Sequence, residues 1–233
     1  EWLSSKIIAQ FFVTAGIDAQ WLDARQLIVT DSHFGKAHVD FKHTEEALRS
    51  AMSSPHLFVV PGFIAADANG VTTTLGRGGS DYTAAIIGAC LNAGSVEIWT
   101  DVSGMMTADP RLVPTAQHIP AISYHEAMEL SHFGAKVIYP PTLQPLMTRH
   151  IPVWIKNTFA PQDAGTLIEA SAQQNGHTTR GISSMAGVAL LSLEGSGMVG
   201  IPGFSKRLFE ALAAQQINVI LITQASSEHS ICV

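Results

Sequence analysis

The sequence predicts an α/β fold, a mostly parallel sheet sandwiched by helices, followed by a partial ferredoxin-like βαββ unit. Three observations carry this expectation. Short β-rich runs alternate with helical spacings from residue 2 to residue 156, the pattern of βαβ units. With 46% hydrophobic residues, 14% charged residues and 19 glycines, the composition suits a sheet buried on both faces and joined by tight loops. A polar run, Ser171-Ala-Gln-Gln-Asn-Gly-His-Thr-Thr179, then precedes a strand–helix–strand–strand order. The expected division is a first domain over 1–170, a linker over 171–180 and a second, partial domain over 181–233.

The elements follow in order. Leu3, Ile7, Ile8, Phe11 and Phe12 fall near helical spacing and predict a helix over 2–15. Leu27–Thr30 reads as a short strand and Asp31–Lys36 as a loop. A short helix is expected over 44–51, then an apolar strand, Leu57–Val60, stopped by Pro61-Gly62. Val71–Leu75 is β-rich and enters a glycine loop; Asp81–Ala93 is a helix of small and apolar residues ending at Gly94. Val96–Thr100 is a strand, Ser123–Ser131 and Thr142–Arg149 are helices, and Ile151–Lys156 is a strand. Beyond the linker, Val188–Leu193 and Val219–Thr223 read as strands around a helix at Phe204–Gln215, and His229–Val233 opens a third strand.

Bulk properties remove several classes of function. A net charge of -6 is not the electrostatic footprint of a nucleic-acid binder, and no basic run addresses an anionic membrane surface. No apolar run reaches the length of a membrane span. Cys90 and Cys232 lie far apart without a C-x-x-C pair, so zinc and dithiol chemistry lose their usual support and a reducing cytoplasm is the expected home. The chain opens at Glu1 without a methionine or a signal-peptide pattern, from which an upstream segment is expected.

Thr74-Leu-Gly-Arg-Gly-Gly-Ser-Asp-Tyr-Thr83 is the most informative segment. A strand enters, three glycines turn the backbone and a helix leaves, with Ser80 or Asp81 as its expected N-cap. Glycines admit close approach of a ligand, and free N–H groups at a helix start favour anions. The planar fork of Arg77 suits a carboxylate or phosphate, and Asp81 is placed to orient a reacting group. An ordinary strand-to-helix turn with a surface arginine would use the same residues. The segment is neither a Walker loop nor a complete dinucleotide fingerprint. A second constellation, Glu97-Ile-Trp-Thr-Asp-Val-Ser-Gly-Met-Met-Thr-Ala-Asp-Pro-Arg111, starts where a strand ends, the place where open α/β sheets gather ligands.

Together these two stretches resemble the aspartate kinases of the amino-acid-kinase family. The resemblance implies that Arg77 grips the carboxylate of L-aspartate, with Ser80 beside it, and that Asp81 organises the reacting groups. It assigns nucleotide contact to Thr100, Asp101, Met106, Asp109 and Arg111, and ATP-phosphate contact to Lys136 in Phe133-Gly-Ala-Lys136. Met106 departs from the tyrosine usual in the family; it can pack against adenine but offers no hydroxyl. Glu1, in Glu1-Trp-Leu-Ser-Ser5, resembles a glutamate that contacts the amino-acid substrate. Ile155-Lys-Asn157 and Gly165-Thr-Leu167 match the end of the kinase domain. The implied reaction moves the ATP γ-phosphate to the aspartate side-chain carboxylate, with Mg2+, in the pathway to lysine, threonine and methionine. The carboxylate is already a nucleophile, so catalysis is positioning and charge neutralisation. The family's opening Lys-Phe-Gly-Gly-Thr-Ser segment does not occur in these residues, and the 233-residue piece is expected to be inactive alone.

Gly195-Ser-Gly-Met-Val-Gly200 fits G-x-G-x-x-G, but no acidic residue ends the next strand and too little chain follows for a dinucleotide domain. The run resembles instead the first ACT unit of aspartate kinases, which implies feedback binding of threonine or lysine, with Asn218 and Gln224 as candidates, and homo-oligomerisation through ACT domains. Asn218 can equally serve a turn before the strand. Ile222-Thr-Gln-Ala-Ser-Ser-Glu228 most resembles the kinase half of bifunctional aspartate kinase–homoserine dehydrogenases. His33, His38 and His43 recur at intervals of five, which is not a helical ligand spacing, and no metal site is expected. The competing readings are a non-catalytic ACT-type amino-acid sensor and another carboxylate-phosphorylating amino-acid kinase.

Overall fold

The computed structural model describes residues 1–54, 56–132, 137–171, 179–198, 200–224 and 229–233. The chain divides into two compact units, Glu1–Ser184 and Met185–Val233. Most of the expected linker lies outside the described residues. Ile182 N donates to Thr107 O at 2.8 Å and Arg180 Nε to Glu126 Oε1 at 3.3 Å, so the chain emerging from the linker still packs on the first unit.

The first unit opens with α1 (Trp2–Thr14) and β1 (Ala19–Trp21), then α2 (Ala24–Leu27), β2 (Val29–Thr30), α3 (Phe41–Ala51) and β3 (Leu57–Val59). Helix α2 takes part of the stretch expected as strand. The Asp23 carboxylate caps it by accepting from Arg25 N, an N-cap signal just upstream of the apolar run. The same device extends α3 three residues beyond expectation, because Asp40 accepts from the backbone of Lys42 and His43. Next come β4 (Ile64–Asp67) and β5 (Thr72–Thr74), an antiparallel hairpin. The Asp67 carboxylate accepts from Asn69 N and Val71 N at its turn. Strands β1 and β3 pair in parallel, as do β2 and β4.

Helix α4 (Gly79–Leu91) leads to β6 (Val96–Thr100). There follow β7 (Ala121–Ser123), α5 (Tyr124–His132), α6 (Pro140–Thr148), β8 (Val153–Asn157) and β9 (Thr166–Glu169). The sheet order is β6-β8-β9-β7, with only β8–β9 antiparallel. The first unit is therefore mostly parallel, as expected. Tyr124 anchors α5 through a hydrogen bond from its hydroxyl to Ile151 O, and burial pushes that phenol up to about 12.

Helix α4 is the pivot of this unit. Ala85 and Ala89 join a core with Val96, Ile98, Leu143 and Val153, while Ile86 and Cys90 join another with Leu27, Ile28, Leu48 and Leu75. A helix packed on two sides must be apolar around most of its circumference, which explains its run of small and apolar residues. Gly88 lets the helix approach β6, since a Cβ there would lie 2.5 Å from Val96 Cγ2.

The second unit contains β10 (Ser192–Glu194), α7 (Phe204–Ala214), β11 (Thr223–Gln224) and β12 (Ser230–Cys232). Strand β12 lies between β10 and β11, antiparallel to both. That is a split βαβ arrangement, the opening half of a ferredoxin-like fold. Helix α7 starts with Gly203 at its N-cap (φ 87°), beyond the glycines of the G-x-G-x-x-G run. No helix of the described residues is long and apolar enough to cross a membrane.

Candidate functional site

The loop after β5 is set by its glycines. Gly78 adopts the left-handed conformation (φ 65°) and is the N-cap of α4, with no side-chain capping bond. The expected cap at Ser80 or Asp81 is thus corrected: the helix begins two residues earlier, because a glycine accepts the positive φ needed to turn into it. A Cβ on Gly78 would stand 2.6 Å from Tyr139 Cβ, and one on Gly79 2.8 Å from the Phe63 ring. Phe63 itself holds φ at 72°, a rare conformation for a bulky residue. Its N–H donates to Thr83 Oγ1 at 3.0 Å and its carbonyl accepts from Leu75 N at 3.0 Å. The loop is therefore tightly held, and its polar side chains are left to meet a ligand.

Those groups are Arg77, Ser80 and Asp81. Arg77 is exposed and forms no ion pair among the described residues. Asp81 sits half-buried in the first turn of α4, and burial raises its pKa. The helix dipole favours a carboxylate there by about 0.3–1 kcal/mol, yet desolvation outweighs it. Relative to an unfolded value near 4, the cost is absent at lower pH, grows as pH rises above that value and is complete above the raised folded value. Asp81→Asn is accordingly expected to raise Tm by a few degrees at neutral pH and to lose that advantage below about pH 4, checked by thermal melts across pH.

Glu1 and Ser80, distant in sequence, line the same cavity of about 500 Å³, with Met52, Phe58, Gly62 and Thr83 among its other walls. Arg77 and Asp81 are not among its lining residues.

The second loop leaves the carboxyl end of β6. Helix α4 and β6 are joined by a short turn at Asn92 (φ 54°) and share a core, so the start of α4 and the end of β6 lie at the same edge. Thr100 pairs with Asn157 of β8, and its hydroxyl donates to Asp101 Oδ1 at 3.1 Å. Met106 forms an isolated bridge with His118. Asp109 and Arg111 form a forked ion pair at 2.7 Å that also engages Arg111 N. The guanidinium holds the Asp109 carboxyl at about 2, so the carboxylate stays ionised at any physiological pH. Lys136 lies outside the described residues. Gln224 lines a cavity of about 360 Å³ in the second unit, with Gly203, Phe204 and Ser205 at the start of α7; Asn218 is exposed and is not part of that cavity.

Several supporting contacts are visible only in three dimensions. Ser103 Oγ donates to Asp163 Oδ2 at 2.5 Å and accepts from Asn157 Nδ2 at 2.9 Å, tying the loop after β6 to β8. The fully buried Thr166 hydroxyl accepts from Met105 N at 2.8 Å and donates to Ile119 O at 2.6 Å. Thr166→Val leaves a buried N–H and a carbonyl unpaired. It is expected to destabilise by about 1–3 kcal/mol, measured by denaturant unfolding. Lys156 Nζ stands 5.5 Å from both the Trp99 and the Trp154 ring centroids. The signal for these contacts is faint: an isolated Ser, Thr or Asn in a loop or at a strand end looks the same whether or not it braces a site.

Residues 2–157 match the amino acid kinase family, and residues 191–233 match the ACT domain. The chain belongs to the amino acid kinase family. Among curated relatives, it is 39% identical over 232 residues to a bifunctional aspartokinase/homoserine dehydrogenase of Haemophilus influenzae, covering 99% of this chain and 28% of that protein. It is 38% identical over 227 residues to lysine-sensitive aspartokinase 3 of Escherichia coli, covering 96% of this chain and 50% of that protein. Among solved structures, E. coli aspartokinase III in complex with aspartate and ADP superposes with a TM-score of 0.80 at 36% identity, covering all of this chain and 52% of that one. Aspartate kinase from Clostridium acetobutylicum gives a TM-score of 0.84 at 31% identity, covering 99% of this chain and 51% of that one. The chain thus spans between about a quarter and a half of the length of these relatives.

Proposed function

We propose that the chain is the nucleotide-binding part of an aspartate kinase catalytic domain, 1–170, joined by a linker at 171–180 to the opening of an ACT regulatory domain, 181–233. The observation that carries this reading is the loop at 74–83. It is rigidly packed, yet it presents an arginine without an ion pair among the described residues beside a half-buried carboxylate. In this reading Arg77 clamps the α-carboxylate or side-chain carboxylate of aspartate, and Glu1 and Ser80 hold the amino-acid substrate from their shared cavity. Asp81 orients the acceptor. Thr100, Asp101, Met106, Asp109, Arg111 and Lys136 take the nucleotide. The E. coli structure in complex with aspartate and ADP supports the choice of ligands.

Among the described residues, no three metal-ligating side chains converge on the second loop: the convergent group lies elsewhere, at Asp31, His33 and His38. Asp109 is already held by Arg111 and Asp101 is exposed. This donor set fits magnesium brought by the nucleotide phosphates, with Asp101 as the available protein oxygen, rather than a cage of protein ligands. Magnesium would neutralise charge on the phosphates. This chain's residues position the carboxylate and the nucleotide in line.

The ACT unit is proposed to bind threonine or lysine at Gln224 and Asn218 and to assemble the protein into a homo-oligomer in the cytoplasm. The bifunctional and the lysine-sensitive relatives match almost equally well, so identity alone does not choose the effector. Hydroxylamine trapping on the full-length protein tests the reaction. ATP-dependent hydroxamate from aspartate, and not from glutamate or acetylglutamate, is expected; hydroxamate from another carboxylate would assign a different kinase of the family, and none at all would favour an amino-acid sensor.

A further inference from the structure

We propose that Asp31, His33 and His38 form a divalent transition-metal site, with zinc as the fitting ion, in the loop between β2 and α3. Equal five-residue spacing hides this group, since only two of the three histidines take part. His33 Nδ1 lies 2.9 Å and His38 Nδ1 2.8 Å from the same oxygen, Asp31 Oδ2. All three ligand atoms fall within 4.8 Å of one another. His43 instead turns to Asp40, 2.7 Å from Oδ2.

The backbone builds this arrangement before any ion arrives. Asp31 Oδ1 accepts from His33 N at 3.2 Å and from His38 N at 3.0 Å. Asp31 N donates to His38 O at 3.0 Å. These bonds fix the carboxylate and close the loop, leaving Oδ2 and two imidazoles on one side. Two nitrogens and one carboxylate oxygen match zinc, cobalt or nickel rather than magnesium or calcium. With metal–ligand bonds of about 2.0–2.2 Å, tetrahedral geometry needs ligand separations of roughly 3.3 Å. The present N···O distances must therefore open by only about half an ångström. Each imidazole binds through Nδ1 as the neutral Nε2–H tautomer. The side chains of both histidines are largely exposed, at 74% and 75%, so water can complete the coordination.

The position gives the ion something to act on. Phe34 O, inside the loop, accepts from Thr74 N at 3.0 Å and Thr74 Oγ1 at 2.8 Å. Gly35 O would lie 3.3 Å from a Cβ on Gly76. Metal bound across Asp31 and His38 would brace the loop that supports the entry to residues 74–83. The site itself does not depend on the proposed kinase activity.

The test is calorimetric titration of ZnCl2 into the tag-free, EDTA-dialysed full chain, with cobalt absorption as a second reading. The expected result is one specific zinc equivalent and an intense visible cobalt band, characteristic of low coordination number. His33→Ala and His38→Ala should each weaken zinc by at least about tenfold, and His43→Ala should leave it unchanged. Both substituted side chains are exposed, and circular dichroism of the variants verifies the fold. Zinc affinity unaltered in the double variant His33→Ala/His38→Ala would overturn the proposal, as would loss of binding in His43→Ala alone.

Discussion

Arg77→Ala in the full-length protein is expected to lower kcat/KM for aspartate by roughly a hundredfold or more. The side chain is exposed and holds no ion pair among the described residues, so its removal costs the fold little. What is lost is a charge-assisted fork to a carboxylate. At about 1.5–3 kcal/mol for each hydrogen bond to a charged group, two such bonds correspond to a loss on the order of 10²-fold or larger. Arg77→Lys keeps the charge and loses the fork, and should recover only part of the rate. Steady-state kinetics with varied aspartate check both variants. An unchanged rate in Arg77→Ala would favour the sensor reading, in which the loop is only a turn.

Gly78→Ala should damage the protein more deeply, through stability as well as activity. Two costs add. The left-handed backbone at φ 65° penalises an L side chain by about 1–2 kcal/mol. The new Cβ also meets Tyr139 Cβ at 2.6 Å, and overpacking of this kind costs about 1–3 kcal/mol. Gly70→Ala separates the two terms: φ there is 77°, but a Cβ meets nothing within 4 Å. It should show the backbone cost alone. Pairing Gly78→Ala with Tyr139→Gly, which removes the Cβ that the new methyl meets, should return part of the difference. Denaturant unfolding measures the stabilities. The KM for aspartate should rise in Gly78→Ala, because the loop must shift to relieve the contact, and stay near the parent value in Gly70→Ala.

Much of this architecture was legible because it follows from periodicity. The alternation of strands and helices, the run at Val96–Thr100 and the helix at Phe204 all emerged where apolar spacing placed them. The short elements did not. Ala19–Trp21, Ile64–Asp67 and Ala121–Ser123 are too brief to show a period, and long-range pairing defines them instead. Helix starts were misplaced where a cap decided them: Asp40 lengthens α3, and Gly78 replaces Ser80 or Asp81 at α4. The glycine loop was readable as a site, since Arg77 and three glycines between a strand and a helix stand out in sequence. Its packing was not, because Tyr139 and Phe63 approach from distant segments. The histidine group was hidden for a different reason: its shared partner, Asp31, is close in sequence but lies outside the repeat of five.

Hydrogen–deuterium exchange on the full-length protein tests most directly the claim that two loops divide the substrates between them. Aspartate is predicted to slow exchange within residues 74–83. ADP with magnesium is predicted to slow exchange within residues 97–111. In Arg77→Ala the first protection should disappear while the second remains. Protection by either ligand confined to other segments, or aspartate protection that survives Arg77→Ala undiminished, would contradict the account.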